Sequence, residues 1–252
     1  MLFPAPCRIC EAPLTTASTI PICAECLASF KPIAGPACEC CGRPFISAVA
    51  NQAQQPLCHA CRRDLYDFDL ARGYAAYNDT MAKAITLLKY DEITRLGGWF
   101  AARLAERVAK EPESFAADVV VPVPLHPLRL RERGYNQAEL IARPLAKRLK
   151  LPLRTYLLVR TKPRPAKLRL TRHERWTTVR GAYATRTGTR VDKLRILLVD
   201  DVFTTGATLD SCSRALRQAG AARVVGLTVA RVVPNWAFYG QEEGNQKYSQ
   251  GI

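Results

Sequence analysis

An apolar run that follows Arg195, namely Ile196, Leu197, Leu198 and Val199, leads without a break into two adjacent acids, Asp200 and Asp201, and then into a turn of small residues. A run this short, flanked by charge, suits a buried strand. After the turn, Leu209, Cys212, Ala215, Leu216 and Ala219 recur at helical spacing, and Gly220 closes the pattern. Strand, turn and helix in this order are the unit of an α/β fold built on a parallel sheet. Cys212, alone on the apolar face, reads as a core residue.

The turn comprises Thr204, Thr205, Gly206, Ala207 and Thr208. A loop at a helix N-terminus offers unpaired N–H groups and the positive end of the dipole, which suits a phosphate. Three threonine hydroxyls add donors. Asp200 and Asp201 repel a phosphate, so they are expected to face sugar hydroxyls a few ångströms away, directly or around a divalent cation. The stretch therefore describes a ribose 5-phosphate site. Receiver domains of response regulators open with a similar phrase, but they need a phospho-accepting Asp further on and no Asp follows Asp210. A buried strand and an ordinary capped helix is the plainer alternative, and it leaves two buried carboxylates without a use.

ILLVDDVFTTGAT resembles the phosphoribosyl pyrophosphate (PRPP) signature of type I phosphoribosyltransferases. The resemblance implies that Asp200 and Asp201 bind the ribose hydroxyls as the catalytic carboxylates. It also implies that the run through Val202, Phe203, Thr204, Thr205, Gly206, Ala207 and Thr208 holds PRPP, with Thr204 to Thr208 on the 5-phosphate.

The 252 residues hold one α/β domain and something small. Neither an apolar span of about 18 residues nor a basic-then-apolar leader is present, so a soluble, cytoplasmic protein without membrane insertion is expected. The net charge of +15 is unevenly placed: Arg129 to Arg180 carries sixteen Lys/Arg against three Glu. Such a block attracts polyanions, whether pyrophosphate, nucleotides or nucleic acid.

Nine of the ten cysteines precede residue 62, eight of them in four CxxC pairs: Cys7/Cys10, Cys23/Cys26, Cys38/Cys41 and Cys58/Cys61. Each pair brings two thiolates onto one knuckle, and two knuckles complete a tetrahedral S₄ site. Eight ligands predict two structural zinc ions. The spacing leaves open whether the knuckles combine in sequence or interleave, and whether His59 replaces a thiolate. A disulfide framework is the rival reading, disfavoured in a reducing compartment. The segment has few large apolar residues, so zinc is expected to supply most of its folding energy. Ile46 to Pro56 reads as a loop within it.

From about Phe68 the pattern becomes alternating strands and helices. Strands are predicted over 70–77, 118–123, 156–160, 179–185, 195–199 and 224–232, and helices over 81–89, 96–109 and 134–149, the last kinked at Pro144. Ligands gather at the carboxyl ends of such strands. One such end carries PVPLHP, including Pro124, Leu125 and His126, followed by Arg133, Gly134, Asn136 and Gln137. Its arginines suit a pyrophosphate, and Asn136 and Gln137 begin a helix in an anion-friendly position. His126 reads equally as a turn histidine.

Four CxxC pairs, LLKYDEITRLG, DVVVPVPLHPLRLRERGYNQAELIA, an Arg-rich segment and the PRPP signature together resemble the ComF-type competence and DNA-utilisation protein family over about residues 7–233. The resemblance implies an open parallel sheet of the type I phosphoribosyltransferase kind with helices on both faces, preceded by the zinc module. The expected divisions are 1–67, 68–234 and a flexible tail over 235–252 in which Trp236, Phe238 and Tyr239 dock locally. It also implies binding of Mg²⁺ with PRPP, an unidentified acceptor, a role in natural transformation, and dealings with single-stranded DNA and DNA-uptake or helicase proteins. Arg160, Leu170 and Arg175 fit the family pattern between the two halves of the site. Arg164, Lys167 and Thr178 depart from it, which puts acceptor choice or turnover in question. A non-enzymatic DNA-handling adaptor that keeps the phosphate site is the second reading; Tyr135, Tyr156, Trp176 or Tyr183 would stack on bases.

Overall fold

A computed structural model describes residues 5–16, 18–45, 56–163 and 171–233, without the side chains of Arg172, His173 and Arg175. The expectations placed on the 46–56 loop (residues 46–55), on Arg164, Lys167 and Leu170, on the Arg175 side chain and on the 235–252 tail lie outside the described residues.

Four strands make one parallel sheet: β1 (Leu70–Ala76), β2 (Val119–Pro122), β5 (Arg195–Phe203) and β6 (Arg223–Arg231), in the order β1-β6-β5-β2. The two central strands, β5 and β6, are buried along nearly their whole length, as their continuous apolar runs require. Side chains alternate across β5. Leu197 and Val199 join the core beneath α3 (Asp79–Tyr90), α4 (Arg95–Lys110) and α6 (Gln137–Leu149), whereas Ile196 and Leu198 face α8 (Ala207–Gln218). Helices thus cover both faces of an open parallel sheet.

Several elements depart from expectation. The segments predicted as strands over 156–160 and 179–185 do not join the parallel sheet; β3 (Leu158–Arg160) and β4 (Tyr183–Thr185) pair antiparallel with one another as a separate ribbon. Residues 172–179 form a helix, α7, started by a capping box between Thr171 and Glu174. An additional short helix, α5 (Pro127–Arg133), follows β2, and Gly134 ends it in the left-handed conformation. Strand β5 runs on through Phe203, so Asp200 and Asp201 lie within its ladder rather than beyond it.

α6 continues as one helix through Pro144, which has no N–H to offer the Leu140 carbonyl. Gly97 of α4 packs at that carbonyl, and a Cβ on Gly97 would stand 2.5 Å from it. Only glycine lets the two helices approach there.

The cysteine-rich segment, with the short helices α1 (Ala24–Ala28) and α2 (His59–Arg62), is not an appendage. Its chain runs along β1, the outer strand: the Ala71 N–H donates to the Cys40 carbonyl and the Ile33 N–H to the Tyr74 carbonyl. It thereby covers a sheet edge that would otherwise be open. Ile9, Ile22 and Phe30 enter the core on the α3/α4 side, with Phe30 edge-on to Trp99 at 5.6 Å. The second half of the segment packs on the opposite face, against Phe68, Ala71 and Phe203. A module expected to draw most of its folding energy from zinc also shares two cores with the α/β domain.

Candidate functional site

At the carboxyl end of β5 the two acids are buried, 8% and 5% exposed, and strand alternation turns them apart. Asp201 points toward α3, where the Lys89 Nζ lies 2.7 Å from its Oδ2. Asp200 lies on the other side, in electrostatic reach of Arg160, Tyr183 and Cys212, and its Oδ1 accepts from the Asp201 N–H at 2.9 Å. Burial, followed by the charge of Asp201, pushes the Asp200 carboxyl up to about 8. Burial likewise pushes up the Tyr183 phenol and the Cys212 thiol, in keeping with a core role for Cys212.

After Val202 and Phe203 the chain turns through Thr204, exposed, and Thr205, half-buried, into α8. Gly206 is the N-cap of α8 at φ +86°, and a Cβ there would stand 2.6 Å from the Tyr66 ring and 2.8 Å from that of Phe203. Glycine is required twice over, by its dihedral and by its neighbours. The Thr205 hydroxyl accepts from the Ala207 N–H at 3.4 Å. Thr208 follows in the first turn of α8. The turn therefore sits at the amino end of a twelve-residue helix, beside the buried carboxylates.

The neighbouring strand end, after β2, carries Pro124 and Leu125, both half-buried. His126 caps α5, its Nδ1 accepting from the Leu128 N–H at 3.3 Å, which assigns it the turn role weighed above. Asn136 caps α6 and also donates to the Val123 carbonyl at 2.9 Å, fixing the strand exit to the helix start. Gln137 is buried and accepts from Arg133, whose guanidinium stands 4.8 Å from the exposed Tyr90 ring. Arg160 ends β3 with its guanidinium 5.4 Å over Tyr183. Pro124, Leu125, Tyr156, Leu158, Arg160 and Arg186 line an open cavity of about 230 Å³ beside this end.

Three further residues at this site carry little or no local sequence signal. Lys89 is one of 37 lysines and arginines, and nothing in the spacing joins it to Asp201. Tyr66 stacks on Phe68 at 4.6 Å and donates from its hydroxyl to the Thr205 carbonyl at 3.1 Å. Arg231, 4% exposed, ends the apolar run of β6 with its guanidinium 4.0 Å over Phe203. A charged residue inside an otherwise apolar strand was the available signal for it.

The eight paired cysteines form two quartets, and they combine in sequence: Cys7, Cys10, Cys23 and Cys26, then Cys38, Cys41, Cys58 and Cys61. Within each, all four sulfurs lie within 4.8 Å of one another. Cys10 to Cys23 is 3.7 Å, and Cys41 to Cys58 and Cys58 to Cys61 are each 3.6 Å. Those separations are close to the tetrahedron edge of about 3.8 Å that a zinc–sulfur bond of about 2.3 Å dictates, and far from a disulfide. Backbone N–H groups of Cys23 and Cys58 donate to the sulfurs of Cys7 and Cys38, each at 3.3 Å, which favours thiolates. Both quartets fit structural zinc, and His59 belongs to neither. Among the described residues no helix is long and apolar enough to cross a membrane.

A family model for the double zinc ribbon domain matches residues 1–62. Competence protein ComFC of Bacillus subtilis is 28% identical over 218 residues, covering 83% of this chain and 84% of its own length. DNA utilization protein YhgH of Salmonella typhi is 26% identical over 227 residues, 89% of this chain and 96% of its own. Competence protein F of Haemophilus influenzae is 34% identical over 119 residues, 46% of this chain and 52% of its own. Among solved structures, glutamine PRPP amidotransferase from B. subtilis matches 54% of this chain at 23% identity with a TM-score of 0.37, and the match spans 26% of that longer chain. Purine phosphoribosyltransferase from Pyrococcus horikoshii Ot3 matches 53% of this chain and 84% of its own, at 16% identity and a TM-score of 0.33. From its paired cysteines to its last strand, the chain is similar to the ComF-type competence and DNA-utilisation proteins.

Proposed function

We propose that this chain binds Mg–PRPP as a phosphoribosyltransferase-type protein and serves natural transformation or DNA utilisation in the cytoplasm. One observation carries the reading: a pair of buried carboxylates lies near the end of the strand that leads directly into a glycine-capped helix start bearing threonine hydroxyls. The division of labour would follow residues 1–67, a zinc module, and residues 68–234, the transferase-like domain.

In this reading Thr204 to Thr208 hold the 5-phosphate, and the carboxylates Asp200 and Asp201 receive the ribose hydroxyls. Asp200, held largely protonated by burial and by its neighbour's charge, is a carboxyl that a nearby cation would relieve, so the acids fit a divalent ion carried in with the substrate. Such an ion supplies charge neutralisation for the leaving group. Arg129, Arg131 and Arg133 of α5 and the Pro124–His126 bend face the pyrophosphate. As the C1–O bond breaks, positive charge grows on the ribose ring and negative charge on pyrophosphate; the arginines stabilise the latter. The acceptor then attacks C1, with positioning as the protein's main contribution.

A second reading, a single-stranded DNA adaptor, is favoured by one surface. Tyr90 and Leu128, 58% and 55% exposed, stand beside Arg129 and Arg133, whose guanidinium groups lie 5.9 and 4.8 Å from the Tyr90 ring. Aromatic faces with arginines suit stacked bases and a phosphate backbone. The test is calorimetric titration of zinc-replete protein with PRPP and Mg²⁺, beside the Asp200→Asn/Asp201→Asn double variant. Saturable binding lost in the variant is expected. Its absence from folded wild-type protein, with salt-dependent binding of single-stranded DNA, would establish the adaptor instead.

A further inference from the structure

We propose that the second cysteine quartet and the turn at Thr204–Thr208 act as one thermodynamic unit, with Tyr66 and Arg231 as positioning residues that carry the shape of the metal knuckle to the phosphate cradle. The proposal rests on the reading of that turn as a 5-phosphate site.

Two independent limbs join the knuckle to the turn. The first begins at Cys61, the last ligand. The Asp64 N–H donates to the Cys61 carbonyl and the Leu65 N–H to the Ala60 carbonyl, so the chain leaving the knuckle is tied back onto it. Tyr66 comes next. Its ring occupies the space a Cβ on Gly206 would need, and its hydroxyl donates to the Thr205 carbonyl at 3.1 Å. The Asp67 N–H then donates to the Asp210 Oδ1 at 2.8 Å, in the first turn of α8, while the Asp67 carboxylate accepts from Arg214 at 2.7 Å. Three successive groups after the knuckle thus hold both sides of the helix start.

The second limb is Arg231. Its Nη1 donates to the Cys41 carbonyl at 2.7 Å and its Nη2 lies 3.6 Å from the Cys41 sulfur, while its guanidinium covers Phe203, the residue before the turn. The next N–H, that of Val232, donates to the Phe203 carbonyl at 2.9 Å. A buried guanidinium needs an anionic neighbour. Four thiolates around one divalent cation carry an excess of negative charge, and they supply it. Losing the metal removes the electrostatic reason for Arg231 to stay where it braces Phe203.

Coupling between sites is reciprocal: if the knuckle holds the turn, a ligand that holds the turn must hold the knuckle. The first quartet, on the other face with Trp99 and Phe100 near Phe30, serves as the internal control. The experiment treats full-length, zinc-replete protein with a chromogenic chelator and iodoacetamide, with and without saturating ribose 5-phosphate, and follows alkylation of each cysteine by peptide mass spectrometry. Calorimetry first establishes saturation. Ribose 5-phosphate is expected to slow alkylation of Cys38, Cys41, Cys58 and Cys61 by about fivefold or more relative to Cys7, Cys10, Cys23 and Cys26. In Tyr66→Ala that selective protection disappears while two zinc ions per chain remain. Tyr66→Phe, which keeps the ring and loses the hydroxyl's bond to Thr205, retains it in part. Equal slowing of both quartets, which a ligand that merely stabilises the whole fold would produce, overturns the coupling and leaves the phosphate site standing. Failure of folded wild-type protein to bind ribose 5-phosphate overturns both.

Discussion

Lys89 reaches across from the end of α3 to place its ammonium 2.7 Å from the Asp201 carboxylate, joining the first crossover helix to β5, a central strand of the sheet. Both partners are largely buried. Removing Lys89 leaves an uncompensated charge next to Asp200, so Lys89→Met is expected to lower stability by about 3 kcal/mol. Lys89→Met/Asp201→Asn, with no buried charge left at that position, should recover most of the loss. Urea unfolding of the three proteins decides it, and an unchanged midpoint for Lys89→Met would mean that water screens the pair.

Asp200 makes stability and ligand affinity run in opposite directions with pH. Its folded-state pKa, about 8, lies above its ordinary value of 3.8, so between those values the folded state holds a proton that the unfolded state has released. This group's contribution is complete below about pH 4 and is lost as pH rises through about 8. Thermal melts of Asp200→Asn should therefore match the wild type at low pH and gain on it steadily toward pH 8. PRPP binding that uses the ionised carboxylate should strengthen over the same interval, by at most about tenfold per pH unit. Parallel melting curves for the two proteins across this range would rule out the protonated carboxyl.

Metal removal should reach far beyond the cysteines. Elemental analysis is expected to give two zinc ions per chain. Sites of this kind contribute about 10 kcal/mol or more to folding. Phe30, held by the first half of the module, packs on Trp99 and Phe100, so chelation should change tryptophan fluorescence as well as circular dichroism and protease resistance. Zinc loss with all three unaltered would refute a folding role.

Much of this architecture was legible in the chain. The apolar run at 196–199 and the run at 224–230, interrupted by Thr228, mark buried strands because nothing else tolerates water so poorly on both faces. The CxxC spacing marks metal because two sulfurs on one tight turn have little other use. The ribbon of β3 and β4 was misread for a physical reason: three-residue strands of mixed polarity carry no information about which partner they take. Short capped helices such as α5 escape periodicity altogether. The CxxC spacing does not encode how the quartets pair, and the contacts of Lys89, Tyr66 and Arg231 join residues far apart in the chain that no local pattern links.

The sheet also fixes an order of events. Among the described residues β1 pairs with β6, and with no other strand of its sheet. A chain made from its amino end must therefore hold residue 70 unpaired on its inner side until residue 223 and beyond have emerged. Pairings of such sequence separation form late and leave intermediates prone to association. The cysteine-rich segment, already synthesised and able to take metal, lies against the outer side of that waiting strand. Zinc supply during translation, and not only in the finished molecule, would then govern how much of this protein a cell recovers in folded form.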